Sequence, residues 1–183
     1  MDSIKNVPVI RENDTIDTIL AKYKKVLGKD FTAYHHHVYR IFNFALLQDS
    51  NTENIEKYAI AAAFHDIAIW THHTFDYLSP SIQLAVDYLT ENGKSAQITA
   101  ISLMIDLHHK MSAYTGEFST VETFRKADWI DVSIGFMTFG LDKKALKEIK
   151  KIFPYHGFHL FLVKQTMKNM VKQPLNPLPM FKR

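Results

Sequence analysis

The stretch from Ala63 to Trp70, AFHDIAIW, sets a histidine and an aspartate side by side at the end of an apolar run. Ile55, Ala59, Ala62 and Ala63 form a stripe at helical spacing, Asp66 continues it and His65 lies beside it. An unpaired carboxylate on such a face is costly, so it must be paired, protonated or bound to a metal. The anomaly recurs downstream, where Phe124, Ala127, Asp128, Asp131 and Gly135 share one helical face that should be core. Ten histidines are present and they cluster, at 35–37, 65, 72–73, 108–109, 156 and 159. His35 and His37 flank opposite edges of the stripe Phe31, Tyr34, Val38, Ile41, Phe42 and Ala45, and periodicity does not choose between them. His36 points away. His109 continues the Ile98–Ser102–Ile105 face, with His108 next to it. Histidine and aspartate brought together from separate helices make a mixed nitrogen and oxygen donor set. Such a set suits a divalent ion, with Mn²⁺, Fe²⁺, Co²⁺ or Ni²⁺ first and Zn²⁺ or Mg²⁺ as further candidates.

The elements that must position these residues are helices almost throughout. The pattern predicts helices at 14–27, 31–49, 53–67, 80–92, 95–110, 119–138, 142–152 and 157–172. Asp30 or Thr32 is expected to cap the second. Ser79 is expected as an N-cap with Pro80 in the first helical position, and Gly28 and Gly93 stand where helices should end. No linker divides the chain, so residues 1–173 read as a single all-α domain. The tail 174–183 has prolines at 174, 177 and 179 and is expected to be extended.

Bulk composition narrows the function classes. The 183 residues suffice for one core, and 46% are apolar. There is no cysteine, which excludes disulfides and thiolate metal sites. A net charge of +3 gives no reason to expect nucleic-acid binding. The densest basic stretch, DKKALKEIKK, reads first as a solvated helix face. No run approaches the ~20 apolar residues of a membrane span, and the N-terminus lacks the pattern of a signal peptide. A cytoplasmic protein with no membrane partner is the expectation. Oligomeric state is not readable.

The order His37, then His65–Asp66, then Asp128 resembles the H…HD…D signature of the HD-domain metal-dependent phosphohydrolases. HVYRI is similar to that family's first histidine followed by x-x-Arg, which selects His37 over His35. FRKADWID is similar to its AD element, which selects Asp128 over Asp131. The resemblance covers about residues 31–135. It implies an orthogonal helical bundle with a metal held by His37, His65, Asp66 and Asp128. It also implies hydrolysis of a phosphate ester, a nucleotide or a related small phosphorylated metabolite, by a metal-activated water. On this reading Asp66 also belongs to the catalytic set and Asp131 orients a ligand or the water. Arg40 and Lys110 are candidates to stabilise phosphoryl charge, and His108 or His109 would donate a proton to the leaving group. The Glu-Asp pair of the alarmone-hydrolysing branch does not follow the HD pair. The additional histidines at 72, 73, 108 and 109 keep a second metal open, and with it a di-iron oxygenase on the same scaffold. A non-catalytic metal- or nucleotide-binding module is the third class. Tyr77, Trp70 and Tyr114 are core or rim residues that could instead stack on a base.

Overall fold

The computed structural model describes residues 8–74 and 76–172. The tail expected over 174–183 lies outside the described residues. Helix α1 (Asp14–Leu27) starts at Asn13, whose side chain accepts the Ile16 N–H at 3.1 Å, and stops at Gly28 with φ 53°. It is followed by α2 (Phe31–Gln48), α3 (Ile55–Phe64) and the single turn α4 (Ala68–Thr71). Beyond these come α5 (Leu78–Glu91), α6 (Ile98–Leu107), α7 (Ser119–Val132), α8 (Lys143–Ile152) and α9 (Phe158–Lys172). No strand occurs among the described residues. The chain is an all-α bundle built around α2, which lies against α7, α3 and α1, while α6 packs on α5, α7 and α3. Alanines 59 and 61–63 are fully buried. With so little side chain on α3, its neighbours approach closely.

Several ends differ from the sequence expectation. Helix α3 stops at Phe64 rather than 67, and His65–Asp66–Ile67 form a tight turn in which the Ile67 N–H reaches the Phe64 carbonyl at 3.2 Å. His65 still has helical dihedrals and its N–H bonds the Ala61 carbonyl at 2.9 Å, and both polar side chains are buried. Helix α6 stops at Leu107, so His108 and His109 also stand just past a helix end. Helix α7 stops at Val132 instead of 138. Ile134 takes a left-handed φ of 56°, the Gly135 N–H bonds Ile130 O at 2.8 Å, and the Ile134 N–H bonds Asp131 O at 2.9 Å. This pair of bonds is a Schellman closure, and it takes Gly135 off the helix face it was expected to share. Helix α5 begins at Leu78, so Ser79 lies inside the first turn and makes no cap. Asp30 does not cap α2 either, because its Oδ2 accepts the Trp70 indole N–H at 3.1 Å.

Candidate metal centre

Three histidines of the cluster are each fixed by a group that can only accept. His37, in the middle of α2, donates from Nδ1 to Asp131 Oδ2 at 2.7 Å. His65 donates from Nδ1 to the Ala62 carbonyl at 2.8 Å, and His108 from Nδ1 to the Ile105 carbonyl at 2.6 Å. A carboxylate or carbonyl in the Nδ1 direction assigns the proton to Nδ1 and leaves Nε2 as a bare lone pair. Those lone pairs converge. Nε2 of His37 and Nε2 of His65 are 3.0 Å apart, and His108 Nε2 is 3.5 Å from Asp66 Oδ1.

The carboxylates face the same space. Asp66 Oδ2 lies 3.4 Å from His65 Nε2 and 3.7 Å from His37 Nε2. Asp128 Oδ1 lies 4.0 Å from His65 Nε2, and Asp128 Oδ2 lies 3.2 Å from His109 Nδ1. Exposure is 0% for His37, His65 and His108, 2% for Asp66 and 1% for Asp128. Asp66 Oδ1, both Asp128 oxygens and His108 Nε2 are buried without a hydrogen bond. Opposed lone pairs and naked carboxylates repel in a medium of low dielectric. A cation between them, proton or metal, turns that repulsion into attraction. The residues therefore fit a divalent ion. Two overlapping groups have donor atoms within 4.8 Å of one another, His37–His65–Asp66 and Asp66–His108–His109.

Proton affinities follow the same geometry. Burial opposes charge on His65, yet the adjoining Asp66 and Asp128 carboxylates outweigh it and raise its pKa. Burial, with His109 alongside, lowers that of His108. Burial would raise Asp66, but His65, His108 and His37 around it hold its carboxyl well below the usual range. Asp128 is likewise lowered against burial, by His109, His108 and His65.

The structure brings His37, His65 and Asp66 together and sets His108 and His109 with Asp66 in a second group; Asp128 belongs to neither group and adjoins them, 4.0 Å from His65 Nε2 and 3.2 Å from His109 Nδ1. His35 instead faces Asp17 at 3.3 Å, and His36 donates to the Pro154 carbonyl at 2.9 Å. Asp131 sits behind His37, not among the converging lone pairs. Arg40 is a correction. It was expected to face a phosphoryl group, but its guanidinium is fully buried. Nε and Nη2 hold Asp131 at 2.6 and 2.9 Å, Nη1 bonds Phe153 O at 3.0 Å, and its face lies over the Tyr155 ring. A fully buried fork engaged by one carboxylate and the backbone is a positioning group for Asp131. Lys110 Nζ donates to Ser112 Oγ at 2.6 Å, on the exposed chain just past His109.

Phe158 escaped the sequence reading, as did the contacts made by His159 and by Tyr77, Trp70 and Tyr114, which were expected as core or rim residues. The buried Phe158 of α9 stacks on His37, centroids 3.9 Å apart. His159 Nε2 donates to the Asp131 carbonyl at 2.9 Å. Tyr77 is buried and its hydroxyl meets His109 Nε2 at 2.8 Å, so it positions a site histidine and is no open stacking platform. Trp70 stacks on Phe161 and packs at a tilt of 50° against Tyr34. Tyr114 is held through its backbone N–H by Glu122. A lone aromatic carries no spacing signal, which is why none of these contacts could be read in advance. A scan against protein-family models finds no match to the chain, and searches of curated proteins and of solved structures find none.

Proposed function

We propose that the chain is a metal-dependent phosphohydrolase acting on a small phosphate ester. The observation that supports it is the convergence of unprotonated imidazole nitrogens and hydrogen-bond-free carboxylate oxygens in one buried space. His37, His65, Asp66 and Asp128 would hold the ion, and the two carboxylates balance its charge. Bound there, a divalent ion supplies Lewis acidity toward a phosphoryl oxygen and a water of lowered pKa. Asp131 keeps His37 in the Nδ1–H tautomer and so keeps Nε2 available. His109 is the member of the cluster with most side-chain exposure, 11%, and supplies a proton to the leaving oxygen.

A second reading has its own observation. Asp66 is common to both donor groups, so its two oxygens face different sets of histidines, His37 and His65 on one side and His108 on the other. Those two donor sets, sharing Asp66, would hold two ions, which would serve a di-iron oxygenase as well as a hydrolase. Metal analysis of the purified chain, a phosphatase screen with nucleotides and sugar phosphates, and oxygen uptake after iron loading separate the alternatives. The hydrolase reading expects phosphate release that disappears in Asp66→Ala. Oxygen uptake without phosphate release would replace it with the oxygenase, and a chain that takes up no metal would remove both.

A further inference from the structure

We propose that the loop at residues 133–141, together with α8, is an attachment face for an anionic lipid surface. Four large apolar side chains stand in solvent within this short loop. Phe136 is 95% exposed, Ile134 56%, Met137 46% and Phe139 41%. The backbone holds them there. Ile134, Gly135, Phe139 and Gly140 all have positive φ, and a Cβ at Gly135 would collide with the Lys150 ammonium. Lys150 in turn donates from Nζ to the Ile134 carbonyl at 3.1 Å, tying the loop to α8.

A field of cations surrounds this apolar tip. A cleft of about 220 Å³ joins loop and helix, lined by Gly135, Thr138, Lys143, Leu146, Lys147 and Lys150. Lys143, Lys144, Lys147 and Lys151 are exposed on α8. Arg125 and Lys126 lie over the Phe139 ring at 5.8 and 5.9 Å. The acids nearby are few and partly engaged. Asp142 caps α8 through the Lys144 N–H, Glu122 holds Arg125 at 2.7 Å and Lys126 at 3.5 Å, and Glu148 is exposed.

The lysines of DKKALKEIKK alone would be a solvated face. Exposed apolar residues projecting from a basic rim are what a peripheral lipid-binding surface needs, because the tip enters the headgroup boundary while the lysines meet the anionic charge. A second copy of the chain is disfavoured, since a self-pairing of this face would set lysines against lysines. The loop projects outward, and a fluid interface accepts splayed side chains without a shaped groove. Lipid attachment departs from the sequence expectation of no membrane partner, which rested on the absence of a span; no helix among the described residues is long and apolar enough to cross a membrane. Surface attachment is a different mode. It is independent of the metal-centre reading.

The test is co-sedimentation of the full chain with vesicles of phosphatidylcholine alone and with added phosphatidylserine. Binding is expected only to the mixed vesicles, and it should be released by salt. Phe136→Asp should weaken it about tenfold or more, and Lys143→Glu and Lys147→Glu by roughly fivefold each. Val26→Asp, at an exposed apolar position on α1, should bind like wild type. All of these positions are exposed, so folding is expected to survive, which circular dichroism verifies. No binding to the mixed vesicles, or undiminished binding by Phe136→Asp, overturns the proposal. A concentration-dependent dimer that Phe136→Asp abolishes would assign the face to a second copy instead.

Discussion

Asp131 satisfies two buried partners, accepting from His37 Nδ1 and from the Arg40 fork. Burial would raise its carboxyl pKa, but Arg40 and His37 push it far below the usual carboxylate range. Its place behind His37 makes it an orienting residue, and an orienting partner typically changes metal affinity or activity ~10–100-fold. Asp131→Asn should therefore retain measurable metal and lose part of the turnover, whereas Asp128→Asn, among the converging donors, should lose nearly all of both. Bound metal and phosphate release, measured side by side, distinguish them, and identical behaviour would make Asp131 a direct ligand. The same substitution carries a stability prediction. Breaking a buried pair costs about 3–5 kcal/mol. Because the folded-state pKa is depressed, this contribution is complete above the unfolded value of about 3.9 and is lost as pH falls toward the folded value. The melting-temperature gap between wild type and Asp131→Asn should stay constant from neutral pH to mildly acidic pH and narrow only below about pH 4. A gap that closes by pH 6 would point to an imidazole instead of this carboxyl.

Among the elements, α1, α2 and α8 end within a residue or so of where periodicity and glycine placed them, because their stripes and caps are local. The turns at 65–67 and 108–109 were not legible. They look helical in composition, and no glycine or proline marks where α3 and α6 stop. The register of α2 shows both limits. Periodicity left His35 and His37 equivalent, the H-x-x-R resemblance chose His37, and the structure sets His37 against the cluster while Arg40 of the same motif backs Asp131. Helix α9 carried no motif, yet its first turn covers the site. Gly157 precedes it with φ 81° and open space at its Cβ, so only backbone strain resists Gly157→Ala, about 1–2 kcal/mol. Phe158 is different, being 1% exposed and stacked at 22° to the His37 ring. Phe158→Ala should destabilise by about 3–5 kcal/mol in denaturant titrations and open the His37 side of the cluster to water. A loss under 1 kcal/mol would mean that the first turn of α9 closes over the gap.

At the scale of the molecule, the donors come from α2, from the turn after α3, from the turn after α6 and from α7, so the centre fastens together helices distant in sequence. Four separated segments have to meet before the site exists, and the unfolded chain does not hold them together. An ion that binds only the folded form stabilises it in proportion to the logarithm of its excess, about 2.7 kcal/mol at a hundredfold excess over Kd. Without the ion, the repulsion among Asp66, Asp128 and the facing imidazole lone pairs is relieved by protons, and those carboxylates raise the pKa of His65 against burial. Metal and proton would thus compete for the same nitrogens, and uptake should fall as pH drops through the range of the His65 imidazole, which lies above its ordinary value. Thermal unfolding at pH 7.5 with manganese, cobalt or iron(II) should show a melting temperature several degrees above that in chelator, with a smaller rise at pH 6. Asp66→Ala removes the carboxylate common to both donor groups, so its melting temperature should be indifferent to metal and chelator at either pH. If Asp66→Ala kept the full metal-dependent rise, the ion would lie elsewhere in the chain; if wild type gave none, the converging donors would be a proton-bound network and the centre would not hold a metal.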